Sequence, residues 1–363
     1  MVVGDPKLLA GPRSPRWVFE LLNSSDEPLG ALDGVRDASF EIATTERLGG
    51  AASVTLDDRG QDIDWLTHRV RATYDPGTGY PSWPVGVYLL TSPTMSSRGG
   101  RRTWKVGLLT KMTIIDEDAF DETFSVAAGT PIVPLVVSII TSTGETRTAV
   151  TDTGAATRVA MVWDAGTSKL SIINDLLEAA GYWALWCDRS GQFRVEPYTN
   201  PQDRQASWVF AAGPTATGGA SLHRPDWSRE QNLAGIPNQV VCSTQGTDEE
   251  PAIVGVARND NPDSPFSTGA RGRVITATYD IEAESQVVAD QIAQRRLLDA
   301  MSPVAKLEAE HAMVPLDGND LVVFEPTGGV DGRESIRATV QRMSISGGFD
   351  AHVKAVWREV TEL

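Results

Sequence analysis

The sequence is poor in the residues on which most enzymes and membrane proteins depend. Its 363 residues include only two cysteines, Cys187 and Cys242. Two are too few for a disulfide framework, and their spacing excludes a Cys-x-x-Cys pair. Both read as small buried hydrophobes, a Cys-His nucleophile pair through either being the rarer arrangement. The four histidines, His68, His223, His311 and His352, stand in dissimilar contexts and form no His-Glu-x-x-His pattern. No Gly-x-Ser-x-Gly elbow is present. Gly213, Gly218 and Gly219 lie in a loop without the Lys-Ser/Thr or helix start that a phosphate cradle needs. The longest apolar run, Ile132 to Ile140, falls far short of the ~20 residues that cross a bilayer as a helix. Basic residues number 32 against 48 acidic ones, a net charge of −16, which argues against a nucleic-acid clamp. The first residues carry an early Asp and prolines where a secretory leader would be basic and then apolar. The chain is therefore expected to be made in the cytoplasm.

Carboxylates do cluster, at Asp57-Asp58 with Asp62 and Asp64, at Asp116 to Asp118 with Asp121 and Glu122, and at Asp248 to Glu250. A calcium loop requires acidic or amide groups at alternate positions, then a Gly and a later Glu. Phe120 breaks that pattern after Asp116 and Asp118, and no Gly follows Asn259, Asn261 and Asp263 at the required place. These clusters read as solvated loops. A glycosidase pair needs two carboxyls ~5–9.5 Å apart across a sugar, a distance that sequence cannot supply. Ten tryptophans, among them Trp183 and Trp186 beside Tyr182, suggest core filling more than carbohydrate stacking.

What is present is architectural. Hydrophobic residues make up 41% and charged residues 22%, an ordinary globular composition, and the length calls for two or three domains. From Arg16 to Asp118, Trp17/Phe19/Leu21, Phe40/Ile42, Val54/Leu56 and Val70/Ala72/Tyr74 alternate as strands do, separated by Gly- and Asp-rich turns. Thr130-Pro131 is read as a helix start, with Val133, Val136, Val137 and Ile140 at helical spacing and Gly144 as the stop. Short strands are expected at Thr146 to Val150 and Arg158 to Trp163. Ser168 then caps a helix whose Leu170, Ile173, Leu176, Leu177 and Ala180 share one face, with Asn174, Asp175 and Glu178 largely on the other. Gly181 ends it. A hairpin follows, Tyr182 to Cys187 and Gln192 to Tyr198, turning at Asp188-Arg189-Ser190-Gly191. Strands return at Ser207 to Ala211 and Gln239 to Thr244, and the stretch from Glu249 to Arg273 reads as a long surface excursion. Glu282 to Ala300 has no Gly or Pro and reads as a helix ending before Pro303. Gln291 and Arg295 interrupt its apolar face between Val288 and Leu298, which suits a groove between protein partners. Ala338/Val340 and Val353/Ala355/Trp357 alternate around a Gly347-Gly348 turn.

The segments LLEAAGY (176 to 182), DRSG (188 to 191) and VEPY (195 to 198) resemble the central hub proteins of bacteriophage tails, the minor tail or baseplate hub proteins. WPVGVYLLTSP (83 to 93), NQVVCSTQG (238 to 246), NDNPDSPFSTGARGR (259 to 273) and PLDGNDLVVF (315 to 324) extend the resemblance over most of the chain. It implies a β-dominated α+β fold with two tube-like antiparallel barrels, the first over residues 1–118 and the second over 201–247 with 304–363. A mixed α+β module would occupy 119–200, and 248–303 would be an insertion with a loop and a late helix. It further implies a homotrimer in the virion, assembled in the host cytoplasm. Its partners would be the tail tube or distal tail protein, the tape measure protein and tip, spike or fibre proteins, with DNA only in transit and no membrane anchor. No catalytic residue, metal or cofactor is expected. Two other readings are a receptor- or carbohydrate-binding tip protein, dependent on exposed aromatics such as Trp83, and a cell-wall hydrolase, which would turn over peptidoglycan.

Overall fold

The computed structural model describes residues 5–213, 216, 221–231, 235–244, 251–281, 283, 286–301, 305–348 and 351–360. Strand residues outnumber helical ones by 43% to 16%, so the fold is α+β and dominated by strands. The chain forms two compact units, Met1–Trp227 with Glu308–Trp357, and Ser228–Leu307 with Arg358–Leu363.

The first third supplies seven strands: β1 (Arg16–Leu22), β2 (Pro28–Ala31), β3 (Val35–Ala43), β4 (Gly50–Asp57), β5 (Arg69–Asp75), β6 (Trp83–Arg98) and β7 (Arg101–Thr110). They lie in the order β3-β4-β7-β6-β5-β1-β2. The alternation expected here is seen in burial, with Phe19, Leu21, Phe40, Val54, Leu56, Val70, Ala72 and Tyr74 all buried. The strand pattern stops before residue 118, because α1 (Met112–Glu117) buries Met112 and Ile115.

Residues 119–200 hold β8 (Phe124–Val126), α2 (Ile132–Ser142), β9 (Thr148–Val150), β10 (Met161–Trp163), α3 (Lys169–Ala179), β11 (Trp186–Cys187) and β12 (Phe193–Val195). Ser168 caps α3 by accepting from Ser171 N at 3.2 Å. Leu170, Ile172, Ile173, Leu176 and Leu177 are all sealed at 0% exposure, and Gly181 follows at φ +73°. Asn174 is not merely solvated, since its Oδ1 accepts from Leu185 N at 2.9 Å. This bond ties the half-buried Asn174 of the helix to the segment leading into β11. α2 differs from expectation at its start. Thr130 Oγ1 donates to Ala127 O at 2.8 Å, and Pro131 occupies the cap position without a side-chain bond. The hairpin is shorter than its sequence pattern, and β12 also pairs in parallel with β9.

The last third contributes β13 (Trp208–Ala211), β14 (His223–Gln231), β15 (Gln239–Ser243), β16 (Val254–Arg258), α4 (Thr268–Arg271), β17 (Thr276–Asp280), α5 (Gln286–Met301), β18 (Ala305–Ala312), β19 (Leu321–Glu325), β20 (Ile336–Ser346) and β21 (His352–Glu359). β14, β18, β21 and β20 continue the large sheet into β3, and β19 joins β20 to β13. β20 serves two neighbours on one side. Its first half, Ile336 to Thr339, pairs with β19, and its second half, Arg342 to Ser346, pairs with β3.

The strand expected at Gln239 to Thr244 exists, but it pairs with β16 and β17 and not with strands of the last region. The expected excursion from 249 onward likewise contains β16 and the short α4. α5 lies on this small sheet, with Ala293 and Leu297 meeting Val240, Cys242 and Ala257 in a dry core. A Cβ at Gly255 would sit 2.2 Å from Ala289 O, so glycine lets helix and strand approach that closely. The groove for partners expected along this helix is therefore replaced, on its described buried face, by a core of its own unit. The side chains of Val288 and Leu298 are outside the described residues.

Candidate functional site

The residues singled out for chemistry do not converge. Cys187 Sγ lies 3.7 Å from Asp188 O, and burial pushes its thiol up to about 12. Cys242 sits fully buried in the small core, where burial also raises its thiol. Thiols held in the protonated form are the reverse of an activated nucleophile. His68 Nδ1 accepts from Asp64 N at 3.1 Å in a surface turn. His223 and His311 are buried in an aromatic cluster with Phe210, Phe324 and Trp357. Each turns Nδ1 to the next residue's carbonyl, at 2.7 and 2.8 Å. Burial lowers His311 to about 4, so it is neutral at physiological pH. His352 stands half-buried on β21.

The carboxylates serve local structure. Asp57 takes Arg101 at 2.6 Å and Arg36 at 3.5 Å. Asp64 accepts from Leu66 N and Thr67. Asp116 holds Arg47, and Asp118 holds Lys169. Asn259 and Asn261 each accept from the backbone N–H two residues on, the Asx-turn use of such side chains. Among the described residues no group of three or more His, Cys, Asp or Glu could hold a metal. Asp248 to Glu250, Gly218 and Gly219 lie outside the described residues. Gly213 takes φ +65°, the positive-φ role of a turn glycine. Trp83 is only 6% exposed, packed on Tyr74 and Tyr80, which removes it as an exposed sugar-stacking residue. Trp183 packs on Tyr198 with ring centres 4.5 Å apart, and Arg194 lies over Trp186.

Sequence reasoning passed over a closed ring of charges. Asp26, Arg69, Lys111 and Glu145 come from the β1–β2 turn, the start of β5, the end of β7 and the end of α2, and all four are buried. Arg69 contacts Asp26 at 2.7 Å and Glu145 at 2.6 Å. Lys111 contacts Asp26 at 2.6 Å and Glu145 at 2.7 Å. Lys111 Nζ also donates to Gly191 O at 3.0 Å and lies 5.2 Å from the Phe193 ring centre. Acids and bases alternate, so each charge has two opposite neighbours within the ring, and Asp26 takes a third, Arg147, at 3.6 Å. Burial by itself would raise Asp26; the Lys111 and Arg69 contacts outweigh it and hold the carboxyl below its usual range. Burial would likewise lower Arg69, and its two carboxylates instead raise it. A ring this dry is expensive to break at one member, and it fixes the α+β module on the first set of strands.

The DRSG turn is the meeting point. Gly191 O takes Lys111, while Arg189 N donates to Asp317 Oδ1 at 3.1 Å, in the turn before β19. Burial raises Asp317 to about 6 against the opposing Arg189. Asp188 Oδ1 meanwhile caps Ser190 N and Gln192 N. One four-residue turn thus touches the first strands and the last ones. The Asp-x-x-Gly spacing and the PLDGND segment that holds Asp317 are the sequence signals that point here; the four charges carry none, because they are ordinary residues at scattered positions.

No family model matches the sequence, and no curated protein does. Solved structures do match. A tail protein from Neisseria meningitidis MC58 superposes with a TM-score of 0.68 at 8% identity, over 94% of this chain and 96% of that one. The 43 kDa tail protein of prophage MuSo2 from Shewanella oneidensis gives 0.63 at 12% identity, over 94% and 98%. Prophage tail protein gp18 from Listeria monocytogenes EGD-e gives 0.59 at 7% identity, over 95% of both chains. The chain has the fold of these phage tail proteins.

Proposed function

We propose that this chain, whose fold is that of phage tail proteins, is a structural virion protein: the central hub at the tail tip, present as a homotrimer. The observation that carries the reading is that the likeness runs over at least nine-tenths of both chains in each comparison, and not over one shared module.

In this reading β1 to β7 form one tube-like barrel, and β13, β14 and β18 to β21 form the second. The halved pairing of β20, to β19 and then to β3, supports it, since a strand shared between two sheet regions fixes them as a rigid pair. Three chains then present six barrels, which matches a tube of sixfold rings to a threefold tip. The buried charge ring holds the α+β module at a set angle to the first barrel. The hub joins the tail tube or distal tail protein to tip, spike or fibre proteins, meets the tape measure protein within the channel, and passes DNA along a wall where acidic side chains predominate. It does so without catalysis. The protonated thiols support that part of the reading.

Class averages of the purified protein, with its mass by light scattering, test the proposal. Threefold averages and a mass near three times 39.1 kDa are expected. Twofold symmetry, or a channel lined with Lys and Arg, would overturn it.

A further inference from the structure

Residues 76–115 contain no Asp or Glu, in a chain that has 48 of them among 363 residues. At that average density, 40 residues would hold about five. The acid-free stretch is the β6–β7 hairpin, and its outer end carries Arg98, Arg101, Arg102 and Lys105, all exposed. The end of β4 brings Arg59 beside them, around a groove of about 300 Å³ lined also by Asp57 and Asp58.

The outer hairpin also has a bare edge. β5 pairs with β6 only as far as Leu89. A register shift between Thr91 and Thr94 then turns the strand, and residues 94–98 pair with β7 alone. All of 92–98 are exposed. Gly99 and Gly100 both have positive φ, +56° and +81°, which is the two-residue turn of the primed type. In such a hairpin Arg98 and Arg101 exchange hydrogen bonds, so the N–H and C=O of Met95 and Ser97 face away from β7. An uncovered row of donors and acceptors is a template for an added strand.

We propose that the outer β6–β7 hairpin is a docking surface for an acidic, extended polypeptide segment of a partner protein, which adds as a strand beside residues 94–98 and places its carboxylates against Arg98 and Lys105. These two share one face of the hairpin, because Arg98 pairs with Arg101 and Thr94 with Lys105. The free main-chain edge selects a polypeptide over a nucleic acid; Arg101 and Arg102 are bridged to Asp57 and Asp58, and Arg98 and Lys105 are the cations that take the acids of the added strand. The inference goes beyond the hub reading and does not rest on it.

The full chain is tested by fluorescence anisotropy with a labelled peptide alternating Glu and Val, against a Lys-Val peptide and an oligothymidylate. Binding of the Glu-Val peptide alone, weakening with salt, is expected. Arg98→Gln with Lys105→Gln should weaken it about tenfold. Ser97→Pro, which removes an outward N–H and no β6–β7 bond, should weaken it with every charge intact. Absence of Glu-Val binding, preference for oligothymidylate, affinity unchanged in the Arg98/Lys105 double variant, or self-association of the chain lost in the same variants would each overturn the proposal. If Ser97→Pro fails to fold, the Arg98/Lys105 double variant still decides, because both side chains are exposed.

Discussion

Removing the Lys111 charge is the sharpest test of the ionic ring. Lys111→Met keeps an unbranched chain of similar length and leaves Asp26 and Glu145 facing each other, with Arg69 as the cation still in contact with both. Lys111 has 0% exposure, so water cannot take its place without opening the junction. Breaking a buried pair at one partner costs ~3–5 kcal/mol, and that range is expected here. Urea unfolding at pH 7 followed by tryptophan fluorescence is a selective assay, because all ten tryptophans lie in the larger of the two compact units. Lys111→Met combined with Glu145→Gln should lose less than Lys111→Met alone, since Asp26 keeps Arg69 and no second carboxylate is left unpaired. The exposed pair of Arg16 and Asp75, with Arg16 75% exposed, sets the baseline: Arg16→Ala should cost ~0–1 kcal/mol. If Lys111→Met cost no more than Arg16→Ala, or if the two ring substitutions added independently, the ring would not be what holds the module.

Leu176→Ala, at 0% exposure, should cost ~2–5 kcal/mol. Asp175→Ala should cost ~0.5–1.5 kcal/mol rather than nothing, because Trp163 Nε1 donates to Asp175 at 2.7 Å; equal losses on unfolding would mean the buried face is misassigned. Asp317 has its folded value raised to about 6, so the folded state binds the extra proton and this group's contribution improves as pH falls from 7 toward 5. The stability of the wild type relative to Asp317→Asn should rise over that window, and a flat difference would refute it. His311 has the opposite sign: lowered to about 4, it costs stability as pH falls from 6.5 toward 4, and His311→Phe should show a shallower loss there. Purified protein incubated with peptidoglycan should show no turnover; activity abolished by Cys187→Ala or Cys242→Ala would contradict the structural role.

The sequence by itself determined what depends on neighbours within a turn or two. The α3 face, its Ser168 cap and its Gly181 stop follow from a 3.6-residue period and one positive-φ position. Alternation in β1, β3, β4 and β5 likewise follows from a period of two. β14 escaped notice because its sequence, HRPDWSREQ, is polar and contains Pro225; a strand at the end of a sheet tolerates both. Only the tertiary structure decided which strands pair. The neighbours of β15 are β16 and β17, and β20 divides itself between β19 and β3, because pairing depends on contacts between segments that no local pattern encodes. The ionic ring is the clearest case. Asp26, Arg69, Lys111 and Glu145 are unremarkable in a chain of 80 charged residues. Their meaning comes from burial, which makes each charge need its opposite neighbours.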